Sequence, residues 1–200
     1  CPVHEEPLHL IPRSLREQFQ ELYGIKIEGD LCPVCRFRLK EEFNNDYMSM
    51  PIAQSSFSVR GRRGVGVVPP MDPNSQDVTI LIGSEDISKL DMYSEDDPRV
   101  LSLNGAFNVG NRGIVEFVEV FKNEIEFLHT MITATQEKAV PSPGKGPMLY
   151  FDGVILAHCN EAGTSLSLKI LMKQSLIVLL GLMFLTALNI LKSRKFMKRC

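Results

Sequence analysis

The stretch Val154-Ile155-Leu156-Ala157 is continuously apolar and stops at the polar run His158-Cys159-Asn160-Glu161. An apolar run this short, with no alternation, is the pattern of a strand buried on both faces. Such a strand needs a layer of structure on either side, which predicts an α/β domain with a parallel sheet. The rest of the chain agrees. Residues 113–137 open as a strand, Gly113-Ile114-Val115-Glu116-Phe117-Val118-Glu119-Val120, whose alternation points Glu116 and Val118 one way and Phe117 and Glu119 the other. They continue as a helix with Phe121, Ile125, Leu128 and Ile132 on one face. Two further apolar runs, 57–59 and Val65–Val68, flank Arg60-Gly61-Arg62-Arg63-Gly64. That is a hairpin-like turn; its three arginines suit a solvated loop, and also a phosphate contact.

Nearer the start, Leu15, Phe19, Leu22 and Tyr23 recur at helical spacing, with Pro12 and Ser14 before them and Gly24 as the stop. A second helix is expected over 36–43. Turn-rich passages at 69–74 and 141–147 punctuate the chain, and an apolar run occupies 78–82.

Four residues are spaced like metal ligands. Cys1 and His4 form C-x2-H, and Cys32 and Cys35 form C-x2-C, with 27 residues between the pairs. Three thiolates and an imidazole would satisfy a tetrahedral structural zinc, and a full set of four protein ligands leaves no open position for catalysis. The alternative reading is reduced cysteines with no metal and a surface His4 beside Glu5 and Glu6. Five cysteines in all, an odd number at modest density, do not describe a disulfide scaffold, so a reducing compartment is expected.

In an open α/β sheet, ligands bind beyond the carboxyl ends of the strands. Glu116 and Glu119 lie at one such end, where a carboxylate can hold a water or a magnesium ion, and Asn160 lies at another, where its amide can meet a phosphate or orient a water. A bland solvated strand end fits the same pattern. No G-x-x-x-x-G-K-[ST] occurs: Gly144-Lys145-Gly146 lacks the hydroxyl, and 61–66 lacks the lysine.

The runs Asn111-Arg112-Gly113-Ile114-Val115-Glu116-Phe117-Val118-Glu119-Val120-Phe121-Lys122, Thr133-Ala134-Thr135-Gln136-Glu137 and Phe151-Asp152-Gly153-Val154-Ile155-Leu156-Ala157-His158-Cys159-Asn160-Glu161 resemble the AAA domain of the PrkA family, bacterial proteins described as serine protein kinases. Residues 1–10, 27–33 and 72–77 fit the same family in order. The resemblance implies a partial AAA-type P-loop NTPase domain whose Walker A part would lie upstream of Cys1. It implies that Glu119 is the Walker B glutamate and Asn160 the sensor 1 residue. Val118 stands where most AAA proteins carry the magnesium-linked aspartate, with Glu116 as a substitute. ATP and magnesium, a protein substrate and a homo-oligomer follow for the intact parent. Zinc would be a subfamily feature.

Composition breaks late in the chain. Of 24 acidic residues none lies beyond Glu161, whereas 7 of the 22 basic residues do. Residues 174–191 are uncharged and precede Lys192, Arg194, Lys195, Lys198 and Arg199, which reads literally as a single-pass membrane anchor with a basic flank. As a helix these residues span about 27 Å, just short of a bilayer core. A frameshift accounts for more. Back-translated and read one base earlier, Met172-Lys173-Gln174 yields Asn-Glu-Ala, and later stretches yield further family motifs in order.

The expected organisation is therefore a Cys/His knuckle and helical insertion over 1–50, a partial AAA core over 51–162, and a frameshifted tail over 163–200. The expected function is that of a cytoplasmic fragment of an ATP-dependent serine protein kinase or AAA ATPase, inactive alone. The alternatives are a zinc-stabilised interaction module and a membrane-anchored protein. The near balance of charge argues against a nucleic-acid partner.

Overall fold

A computed structural model of the chain describes residues 1–70, 77–95, 97–120, 123, 125–144 and 146–158. Its centre is a parallel sheet of β1 (Val65–Val68), β4 (Ile114–Phe117) and β7 (Val154–Ala157), with β4 in the middle. The register aligns Val65 with Ile114 and Val154, and Val68 with Phe117 and Ala157. All three strands therefore end level. Short antiparallel pairs lie outside this sheet: β2 (Ser84–Glu85) with β3 (Leu101–Ser102), and β5 (Ala139–Val140) with β6 (Leu149–Tyr150).

Helices α1 (Arg16–Tyr23) and α2 (Pro33–Phe43) precede the sheet, and short helices α3 (Thr79–Ile82), α4 (Ile87–Leu90) and α5 (Ala106–Gly110) lie between β1 and β4. Helix α6 (Ile125–Gln136) follows β4. Helix α1 ends at Gly24, whose φ of 67° suits a residue without a Cβ. Helix α2 starts three residues before the expected 36, because Cys32 caps it: its sulfur accepts the Cys35 amide N–H at 3.4 Å, and Pro33 fills the first turn. The apolar residues of α1 stay largely outside the core, Leu22 being 77% exposed.

One face of the sheet is packed. Val68, Val115, Phe117 and Ile155 are buried there, and α5 runs so close that a Cβ on Gly66 would strike the Ala106 carbonyl. Phe107 on α5 stands between Phe117, at 5.9 Å between ring centroids, and Phe151, at 5.1 Å and edge-on. The other face carries Val67, Ile114, Glu116 and Leu156, and among the described residues nothing buries it: Ile114 is 38% and Leu156 45% exposed. The expectation that β7 is buried on both faces is thus corrected. Its composition is that of a doubly covered strand, but only Ile155 meets a packed layer.

Helix α6 also differs from expectation. Among the described side chains its buried residues are Phe127, Leu128, Met131 and Ala134, and Ile132 lies at the margin; the side chain of Ile125 is not among those described. The helix is apolar around much of its surface, so a 3.6-residue period admits two neighbouring stripes and packing chooses between them. Phe121 lies outside the described residues.

The N-terminal segment belongs to the same core, since Val3, Cys32 and Cys35 share one apolar cluster with Val68, Phe117 and Ile155. Buried Asn111 fastens it. Its amide donates to the Val3 carbonyl at 2.7 Å and the Tyr150 carbonyl at 3.3 Å, and its oxygen accepts from the Asp152 N–H at 2.8 Å. Asn111→Leu strands these backbone groups away from water, with an expected loss of about 2–3 kcal/mol. A urea midpoint unchanged from the parent's would contradict this account.

Among the described residues no helix is long and apolar enough to cross a membrane. The run 174–191 lies outside the described residues, as does the rest of the tail.

Candidate functional site

At the carboxyl end of the sheet, backbone pairing continues past the strands. The Val118 N–H donates to the Val68 carbonyl at 3.0 Å, the His158 N–H to the Phe117 carbonyl at 3.1 Å, and the Val120 N–H to the His158 carbonyl at 3.0 Å. Glu119 is held between two of these bonds, at a left-handed φ of 52°. A glutamate rarely adopts that conformation, and it persists where its surroundings over-determine it, often at functional positions. Glu116, the third residue of β4, faces the uncovered side of the sheet, and its Oε1 lies 3.7 Å from His158 Nε2. Both groups are about half exposed, so this pair contributes little to stability. The structure thus brings Glu116, Glu119 and His158 to one edge. Asn160 lies outside the described residues. The arginine turn, closed by the bridge between Ser58 and Arg63, is exposed and precedes β1, at the opposite end of the sheet.

A second constellation forms near the N-terminus. The ligand atoms of Cys1, Glu5, Cys32 and Cys35 all lie within 4.8 Å of one another. The sulfurs of Cys1 and Cys32 are 3.9 Å apart, and the Cys1 sulfur is 3.3 Å from Glu5 Oε1. Glu5 Oε2 accepts the Cys32 backbone N–H at 2.6 Å. Three of the four residues with ligand spacing are therefore gathered, and His4 is not in the group. His4 has a φ of 47°; burial first, then the positive charges of the N-terminal amine and Arg63, lowers its basicity.

Burial opposes ionisation of Glu5, but the His9 ring beside it and hydrogen bonding with Cys35 and Cys32 outweigh it and hold the carboxyl below its usual range. The Cys32 thiol is pushed up by its hydrogen bonding with Cys35, by burial and by the Glu5 charge. His9 is buried, with Nε2 at 2.8 Å from the Glu28 carbonyl and Nδ1 facing Glu5 Oε2 at 3.9 Å.

Ligand spacing along the chain does not point to Glu5 or to His158. Glu5 is four residues from Cys1, and carboxylates also ligate zinc, so the signal was present but weaker than a histidine beside it. A cavity of about 260 Å³ opens beside this group, lined by Glu5, Cys32, Asp30, Arg36 and Tyr150 among others. None of Glu116, Glu119 and His158 lines it.

The sequence profile of the PrkA AAA domain matches residues 1–168. Over 162 residues, 80% of this chain, the sequence is 42% identical to the "ATP-dependent protease PrkA" of Bacillus subtilis (strain 168). It is 34% identical over 164 residues to the "Serine/threonine kinase YeaG" of Escherichia coli (strain K12). In each case the chain spans only 26% of the relative's length. Among solved structures, NtrX from Brucella abortus aligns with a TM-score of 0.40 at 14% identity, covering 58% of this chain and 23% of NtrX.

Proposed function

The chain belongs to the PrkA AAA domain family, and from that premise we propose that it is the Walker B and sensor 1 portion of an ATP-dependent AAA enzyme. The observation that carries the reading is the parallel sheet whose central strand leads directly to two carboxylates, Glu116 and Glu119, at its carboxyl edge. Asn160 comes three residues in sequence after Ala157, the last residue of the strand next to β4.

In this assignment Glu119 polarises the attacking water or hydroxyl. Its backbone is pinned on both sides, so the carboxylate has little freedom to leave the strand end. Glu116 takes the magnesium-linked position that Val118 cannot fill. Carboxylate oxygens are the hard donors that magnesium prefers, so the two glutamates fit the ion. The bound ion would neutralise charge on the phosphates. Asn160 orients the reacting group, and the phosphate-cradling loop is supplied by sequence that this chain does not contain.

The relatives carry two names, an ATP-dependent protease and a serine/threonine kinase, and each names an activity that uses ATP. We assign the intact protein to ATP-dependent serine phosphorylation of a protein substrate, with assembly into a homo-oligomer, and the isolated chain to an inactive state. Calorimetry with a slowly hydrolysed ATP analogue tests this. The 200-residue chain is expected not to bind it, and a form extended to the length of the relatives is expected to bind. In that longer form Asn160→Ala should lower turnover by about 10-fold or more. Equal affinity of both forms would overturn the assignment.

A further inference from the structure

We propose that Cys1, Glu5, Cys32 and Cys35 bind one zinc ion as a closed structural site, with Glu5 in the place that sequence spacing offered to His4. The four ligand atoms lie close enough together to surround a single ion. With zinc–sulfur bonds of about 2.3 Å, two thiolates on one tetrahedral ion stand roughly 3.8 Å apart. The Cys1 and Cys32 sulfurs are 3.9 Å apart, and all four ligand atoms fall within 4.8 Å of one another.

The carboxylate is already divided between two tasks. Oε1 faces the Cys1 sulfur, and Oε2 is held by the Cys32 N–H, so the outer oxygen orients the inner one toward the ion. His9 buttresses Glu5 from behind, and among the described residues its buried Nδ1 has no hydrogen-bond partner. The Cys35 N–H bond to the Cys32 sulfur makes the turn of a zinc knuckle. Cys32 caps α2 and Cys35 lies in its first turn, so both sulfurs sit at the start of one helix. The neighbouring cavity, lined by Glu5 and Cys32, offers an entry path.

Three thiolates select a soft or borderline ion, and four protein ligands close the coordination sphere. The function is structural. The ion ties the N-terminal segment to the start of α2 and, through Val3 and Asn111, to the approach to β4. This proposal stands whether or not the nucleotide reading holds.

The test uses the full chain with Cys159→Ser and Cys200→Ser, reconstituted with Zn(II) or Co(II). One equivalent of zinc is expected by elemental analysis, and cobalt should give the intense visible bands of tetrahedral geometry with a thiolate charge-transfer band. Cys32→Ser should lose the metal, and Glu5→Gln should weaken it by about 10–100-fold. His4→Ala should leave stoichiometry and spectrum unchanged. Glu5→Cys, which keeps four ligands, should retain the metal and raise the charge-transfer intensity by about a third, from three thiolates to four. Substoichiometric metal, a disulfide between Cys1 and Cys32 in protein purified under reducing conditions, or loss of metal in His4→Ala with retention in Glu5→Gln would each overturn the proposal.

Discussion

Glu119→Gln, made in a form of the protein as long as its relatives, is expected to cut ATP turnover by about 10²–10⁴-fold while nucleotide affinity changes by only a few-fold. The amide keeps the size and hydrogen-bonding reach of the carboxylate but cannot draw a proton from water or a hydroxyl. The backbone at 118 and 120 is held by the neighbouring strands, so the substitution should leave the edge in place. Single-turnover hydrolysis and equilibrium binding on the same preparation separate the two effects. A parallel fall in binding and turnover would mean that Glu119 shapes the site rather than acting on the reacting group. Glu116→Gln provides the contrast: its expected signature is a raised magnesium requirement, because Glu116 is assigned to the ion.

The largest expected change in stability is at Phe107. This ring is fully buried between Phe117 and Phe151, where α5 closes over the packed face of the sheet. Phe107→Ala removes the ring and leaves a cavity that the neighbouring strands cannot collapse into, at a cost of about 3–5 kcal/mol. Against a domain stability of about 5–15 kcal/mol, that is enough to populate unfolded chain at 37 °C. Phe107→Leu retains an apolar filling and should cost only about 1–2 kcal/mol. Thermal melts of the two variants measure the difference. Near-identical melting temperatures would mean that the aromatic cluster is not what holds α5 to the sheet.

The two predictions differ in what they ask of the sheet. Phe107 reports on its packed face, whereas Glu119 reports on its carboxyl edge, and the register that levels the three strand ends places that edge where polar residues can act together. Asn111 joins these regions to the N-terminal segment through backbone hydrogen bonds.

Short-range pattern was enough for much of this. Val65–Val68 was expected as one arm of a hairpin-like turn and instead pairs in parallel with Ile114–Phe117, but the apolar runs at Ile114–Phe117 and Val154–Ala157 are strands, and Gly24 ends a helix where its freedom to adopt positive φ predicts. These features depend on residues close together in the chain, so the sequence by itself determined them. The α/β class and the family resemblance were legible for the same reason.

Tertiary structure decided what depends on distant partners. Whether β7 is covered on one face or two depends on what packs against it, and Leu156 shows that an apolar composition does not guarantee a covering layer. The stripe that α6 buries was set by its neighbours, since its own period allowed two. The fourth member of the cysteine group was set by a left-handed turn at His4, and by a Cys32 amide 27 residues away in the chain that draws Glu5 inward. Ligand spacing counts residues along the chain, but a coordination sphere is built from directions in space, and only the folded backbone supplies those.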